Sequence, residues 1–240
     1  MKKLLTSLAA TMLLLQVVYA QREKKETIEG NGKVVTRDVP VASFSSLQAG
    51  GVFQLKLSQG DKESVKLEGE ENLLELIEVK NEGSKLIINT DKLKNKNVNI
   101  KSKRSMVVHV TYKKMNQMEL NMIGNVHSAT PLTFDNLDLK NSGIGNMEFM
   151  LRANAINLTN KGVGNVTLSG TAQKATISNT GVGSLQAGNF AVQTMDLKNS
   201  GIGSVEINAV KIIKVSSSGM GSVTNKGAAP LPKKKSTAVI

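Results

Sequence analysis

The second half of this 240-residue chain keeps restating one phrase: Asn, any residue, Gly, an aliphatic, Gly, Asn or Ser, an aliphatic. A degenerate copy at 121–126 is followed by copies beginning at Asn141, Asn160, Asn179, Asn199 and Ser217. Counted at the second glycine (Gly124, Gly145, Gly164, Gly183, Gly203, Gly221), the intervals are 21, 19, 19, 20 and 18 residues. A repeat of this length, with glycine and aliphatic residues in fixed phase, marks a stack of units that each bury a face against the next.

Phase gives each unit its local structure. Six residues before the second glycine stand Met118, Leu139, Leu158, Ile177, Leu197 and Val215, and two after it stand Val126, Met147, Val166, Leu185, Val205 and Val223. Polar residues alternate with them, so the apolar spacing is two, which is strand and not helix. Each unit therefore reads as strand, corner, strand. The corners carry Gly143 and Gly145, Gly162 and Gly164, Gly181 and Gly183, Gly201 and Gly203, and Gly219 and Gly221. Glycine suits a corner that needs positive φ or a backbone approach that a Cβ would block. The aliphatics between them (Ile144, Val163, Val182, Ile202, Met220) are expected to point inward and fill the bend. Asn141, Asn160, Asn179, Asn199 and Ser217 share one phase and are expected to form a hydrogen-bonded ladder rather than a sugar-binding stripe. A second column holds Asn125, Asn146, Asn165, Ser184, Ser204 and Ser222. The fold class is all-β: a parallel β-helix (solenoid) of about six rungs of 18–21 residues, roughly 30 Å long at the usual strand spacing.

The segments before and after differ in composition. Residues 1–20 read as a signal peptide, with Lys2 and Lys3 ahead of an apolar run too short for a membrane span and cleavage between Ala20 and Gln21. Residues 21–37 are polar and read as a flexible leader. Alternation over 38–115 predicts a β-rich N-terminal half of the domain that continues or caps the repeats of 116–225. Within it, Glu71 to Val79 fits a short helix with Asn72 as N-cap, or an irregular strand. Residues 226–240, with Lys233 to Lys235 after two prolines, read as a disordered basic tail that covers the last rung. No transmembrane span is expected once the signal is removed.

Composition narrows the chemistry. With no cysteine, disulfides, thiol catalysis and thiolate metal sites are all excluded. A net charge of +12 favours anionic polysaccharide or another cell-surface component as partner. Aromatics are 3% of the chain, too few for the stacking surfaces of single-strand nucleic-acid binders, so nucleic acid is not expected. Lys92, Lys94, Lys96, Lys101, Lys103 and Arg104 form the candidate anionic-ligand patch, against the simpler reading of a solvated strand and loop. His109 and His127 lack a recurrent carboxylate partner, and no cofactor or metal is expected. Asp138 and Asp196 share a phase three rungs apart, as do Glu148 and Glu206, which is roughly 14 Å. A glycosidase pair needs at most about 9.5 Å. Only a cross-column pair such as Asp138 with Glu148 leaves catalysis open.

The order of these elements resembles the "head GIN" domain of autotransporter adhesins, found in exported Bacteroidetes proteins. The matching residues run from Phe44-Ser45-Ser46-Leu47 to Leu57, through Gln59-Gly60-Asp61 and Ser64-Val65, then Lys85 to Ile88. Val107 to Tyr112 then leads into the glycine repeats, so roughly 40–225 is covered. The resemblance implies a β-helix-like fold and a periplasmic, outer-membrane-surface or extracellular location. It suggests adhesion and brings no catalytic or binding residues with it. Many relatives are lipid-anchored through a cysteine, which this chain lacks. The leading expectation is an exported, non-enzymatic structural or adhesive module of the cell envelope that binds surface polymers. A polysaccharide lyase or hydrolase on the same fold is the first alternative. The second is a homo-oligomeric scaffold that pairs through its sheet edges.

Overall fold

The computed structural model describes residues 26–93 and 98–232. The signal segment with Ala20 and Gln21, Lys94 and Lys96, and Lys233 to Lys235 lie outside the described residues. The N-terminal half holds β1 (Glu26–Glu29), β2 (Val34–Val39), β3 (Ser46–Val52), β4 (Gln54–Gln59) and β5 (Ser64–Glu70). The short helix α1 (Glu71–Leu74) leads to β6 (Glu78–Glu82), β7 (Lys85–Asn89), β8 (Val98–Lys101) and β9 (Val107–Tyr112). Then come β10 (Gln117–Ile123), β11 (Val126–Ser128) and β12 (Leu132–Asn141). The long strands β13 (Met147–Asn160), β14 (Val166–Asn179), β15 (Leu185–Asn199) and β16 (Val205–Ser217) follow, with β17 (Val223–Asn225) last.

The molecule is all-β. Fifteen strands share one sheet that curls, barrel-like and nearly closed, around the core, and β1 and β8 form a separate parallel pair. From β12 to β16 neighbouring strands run parallel, each displaced along the sequence by one repeat, so that Leu139, Leu158, Ile177, Leu197 and Val215 lie side by side. The first four of these are essentially inaccessible to solvent, as are Phe149, Leu168 and Ile207 on the other side of the corner. Period-two alternation carries straight into burial: β13 alternates buried and exposed from Met147 to Asn154. It slips by one at Asn154–Ala155, where Asp135, Asn154 and Gln173 drop out of the pairing register. The slip recurs at the same phase of β12, β13 and β14, without a glycine.

The N-terminal half extends the same stack. β3 pairs parallel with β10, and β4 with β11, so Leu47 sits beside Met118 and Leu55 beside Val126. Antiparallel neighbours flank this layer: β2 on β5 on β9, and β6 on β7.

Four expectations change. The aliphatics between the paired glycines point outward, with Ile144 53%, Val163 48%, Val182 45%, Ile202 49% and Met220 66% exposed. Asn141, Asn160, Asn179 and Asn199 are the buried fillers of the bend, and the space beside them admits only a hydrogen. The leader reading of 21–37 fails over its described part, where β1 and most of β2 are strands. Backbone pairing with β8 and β5 satisfies groups that polarity alone would leave to water. The helix ends at Leu74, and Glu70 stands at its N-cap without a side-chain capping bond. Asn72 instead reaches back, donating to the Glu29 carbonyl and accepting from Asn31 N–H. Finally, the start of the reputed tail is held in place. Lys226 N–H and Ala229 N–H donate to the Ile207 and Ala209 carbonyls, Ala229 is buried, and the first part of the β16 edge is thereby covered.

Candidate functional site

The glycine corner is the most constrained place in the molecule. Asn141 Nδ2 donates to Asn160 Oδ1, Asn160 to Asn179, and Asn179 to Asn199, each at 2.8 Å. Asn199 Nδ2 ends the series on Ser217 Oγ at 3.4 Å. Within a corner the same oxygens turn back: Asn141 Oδ1 accepts Gly143 N–H and Asn160 Oδ1 accepts Gly162 N–H. The amides thus satisfy one another along the column and the corner backbone across it.

The two glycines serve different ends. A Cβ on Gly162 would lie 2.6 Å from Asn141 Nδ2 and 2.7 Å from the Gly143 carbonyl oxygen, so the first glycine makes room for the ladder. Gly164 sits at φ +135°, and a Cβ there would strike the Gly145 carbonyl. The outer column works through the backbone: Asn125, Asn146 and Asn165 each accept the N–H of the next residue in their column at 2.9–3.0 Å. Both columns make these hydrogen bonds inside the stack.

Of the lysine-rich candidates, Lys92, Lys101, Lys103 and Arg104 are among the described residues, and all four are exposed. Lys92 Nζ donates to the Glu75 carbonyl, and Lys101 Nζ lies 3.3 Å from Glu29 Oε1. Lys103 and Arg104 sit in the exposed turn after β8, where Lys103 N–H donates to Glu70 Oε1. Glu70 is itself buried and gathers that turn onto the β1–β2 connection: its carboxylate accepts Gly32 N–H at 2.8 Å and the Ser102 hydroxyl at 2.9 Å. The Gly32 N–H, helped by Ser102 and Lys103, holds its carboxyl below the usual carboxylate range. Gly30 lies beside it, where a Cβ would meet the carboxylate in its present position.

Carboxylates of the repeats stay apart. Asn157 and Thr176 separate Asp138 from Asp196 in register, and Thr167 and Gln186 separate Glu148 from Glu206. Asp196, Asp138 and Glu206 each have a lysine within 4 Å, namely Lys214, Lys140 and Lys226. Asp138 and Glu148 stand before and after the Asn141–Met147 corner. No group of three or more His, Asp or Glu among the described residues is placed to hold a metal.

Two features escaped sequence reasoning. The two histidines share an outer row, with Lys56 between them in register: Lys66, His109, Lys56, His127, Glu148. His109 Nε2 is 2.9 Å from Glu68 Oε2. Partial burial and the Lys56 charge push the His127 pKa below its ordinary value, with Glu148 opposing. No repeat interval announces this row, because β4, from earlier in the chain, lies between β9 and β11.

The second is a shallow depression of about 440 Å³ on the outer face of β14–β16. Thr167, Ser169, Gln186, Asn189, Ser204 and Thr224 line it with hydroxyls and amides, and Glu206 is its carboxylate. It lies where one residue of β14, Leu168, opposes two of β15, Ala187 and Gly188, a bulge that interrupts the flat sheet. The glycine at that bulge, Gly188, leaves room for the Glu206 carboxylate.

Comparison with known proteins places this architecture among relatives. The family profile described as "Putative auto-transporter adhesin, head GIN domain" matches residues 43–229. A crystal structure of a "putative adhesin" from Bacteroides fragilis superposes with a TM-score of 0.74 at 28% identity, covering 82% of this chain and 99% of that one. A "putative lipid binding protein" from Parabacteroides distasonis gives 0.59 at 16% identity, covering 87% and 100%. A "putative adhesin" from Parabacteroides merdae gives 0.52 at 19%, again covering 87% and 100%. The latter two likenesses concern the fold alone. No curated protein matches the chain.

Proposed function

The chain belongs to the head GIN family of auto-transporter adhesins, and on that footing we propose that it is an exported, non-enzymatic adhesive module of the cell envelope. Its repeats act as rungs of a parallel β-helix that displays flat, periodic outer faces to a linear surface polymer. The observation that carries this reading is the contrast between its two kinds of outward polar group. Hydroxyls and amides are gathered at strand spacing around Thr167, Gln186 and Asn189, whereas same-column carboxylates are three strands apart. Three strand steps are about 14 Å, too far for a paired acid and base on one glycosidic bond. Rows of neutral donors and acceptors repeating along the stack suit a ligand that also repeats.

The contacted polymer is a polysaccharide of the cell surface, held at the depression on β14–β16. Basic side chains raise its local concentration when it is anionic, so that part of the affinity falls with salt. The relevant experiment is a glycan-array and vesicle screen on the purified chain, repeated with Gln186→Ala/Asn189→Ala. Retention of one glycan class, weakened at least tenfold by that double substitution and with no chain cleavage, is the expected result. Glycan turnover that disappears in Asp138→Ala or Glu148→Ala would overturn the reading in favour of an enzyme.

A further inference from the structure

A continuous line of aliphatic side chains runs down the outside of the glycine corners. Val52 stands beside Ile123 in register, and single parallel bridges continue the line through Ile144, Val163, Val182, Ile202 and Met220. These residues are 39–66% exposed although each has an aliphatic neighbour above or below it. Six steps of strand spacing make the ridge about 29 Å long. Corner geometry does not explain its chemistry, since an outward position between two glycines would accept Ser, Thr or Lys equally well. The glycines beneath are fixed by close backbone approach, so the ridge is presented without an ordering cost.

Its flanks say what covers it. Among the positions two before and two after each ridge residue, Lys161 is the single charge, on a chain whose net charge is +12. The rest are Gly, Gln, Asn, Ser and Thr. An apolar centre with uncharged surroundings is the composition of a protein contact surface. An anionic bilayer would call for a basic flank along the whole ridge. Here Lys161 alone is basic beside the glycine corners, and the basic turn after β8 stands only at the Val52–Ile123 end.

We propose that the ridge is where a second copy of this chain docks, ridge against ridge. A second copy matches the pitch by construction and brings no charge into the contact other than its own Lys161. That lysine also sets the direction. With ridges antiparallel and fully overlapped, Val163 lies at the centre and the two Lys161 side chains oppose each other. With ridges pointing the same way, Lys161 meets the opposite flank of its partner, the Asn165 column. The parallel arrangement is therefore the favoured one. Its footprint is about 29 Å by about 13 Å, which is roughly 750 Å² over both partners taken as flat. That is the size of a weak, concentration-dependent contact. The pairing stands apart from the polymer-binding reading, since it uses a different face.

The test is sedimentation velocity on the purified chain from micromolar to millimolar concentration, alongside Val163→Thr/Val182→Thr, which keeps the β-branched shape. The wild type should pass from monomer to dimer, and the variant should associate at least tenfold more weakly with unchanged circular dichroism. Because the chain has no cysteine, Ile123→Cys and Ile202→Cys report direction cleanly. Each should form disulfide dimers with itself, and mixing them should add no mixed species. Cross-links confined to the mixture would overturn the parallel arrangement. A chain that stays monomeric throughout, or whose ridge instead takes it onto vesicles in a flotation assay, would overturn the docking of a second copy.

Discussion

Single atoms decide the corner. At Gly164 a methyl group would meet the backbone oxygen of Gly145 at a φ that L-residues avoid, so nothing flexible can give way. Gly164→Ala is expected to cost more than about 3 kcal/mol, read as a fall in the urea midpoint. Asn160→Ala leaves the Asn141 Nδ2, the Gly162 N–H and the Asn179 Oδ1 without their partners. A loss of about 3 kcal/mol is expected, whereas the exposed Lys161→Ala should change stability by less than about 0.5 kcal/mol. Tyr112 gives the opposite sign. Its ring stacks on Phe134 at 5.7 Å, but its hydroxyl is buried without a hydrogen-bond partner. Burial accordingly pushes its pKa up. Tyr112→Phe should leave the melting temperature unchanged or raise it, and a clear drop would show that the hydroxyl has a role in the folded chain.

At the scale of elements, strand phase was legible and strand partnership only in part. Alternation located the buried face of the repeats because one face is apolar and the other polar, and equal spacing told which strands lie side by side. The inward reading of Ile144 failed through an assumption about apolar residues. Counting in twos from buried Asn141 puts Gly143 inside and Ile144 outside, but glycine carries no side chain to mark the phase. The antiparallel pairs β2–β5–β9 and the Glu70 contacts link residues 26 or more positions apart, and no periodicity announces them. The polar depression was equally hidden, since it depends on a bulge. Glu70 carries a prediction here. Its folded pKa lies below the ordinary 4.5, so its contribution is fully present above that pH and is lost as pH falls through the folded value. The stability gap between wild type and Glu70→Gln should be widest near neutrality and close in acid. A gap that does not change with pH would count against the carboxylate as the tie between β1–β2 and the turn after β8.

For the whole molecule, the repeat supplies a scaffold and the outward positions supply whatever specificity there is. Inward residues of the corner are amides that bind one another, and outward ones form separate strips: an aliphatic ridge, a hydroxyl-and-amide depression and a row with two histidines. On the proposed reading these strips hold a ligand rather than turn it over. All of this depends on one register being kept from the first repeat to the last. Spin labels on Gln117→Cys and Lys214→Cys test it most directly, because these positions lie at the two ends of one outer column, through Asp138, Asn157, Thr176 and Asp196. Measured by pulsed electron spin resonance in excess unlabelled chain, a narrow distribution near five strand spacings, about 24 Å, is the predicted result. A broad distribution, or a distance beyond about 35 Å after allowing for the label arms, would contradict the stack and with it the reading of the outer faces.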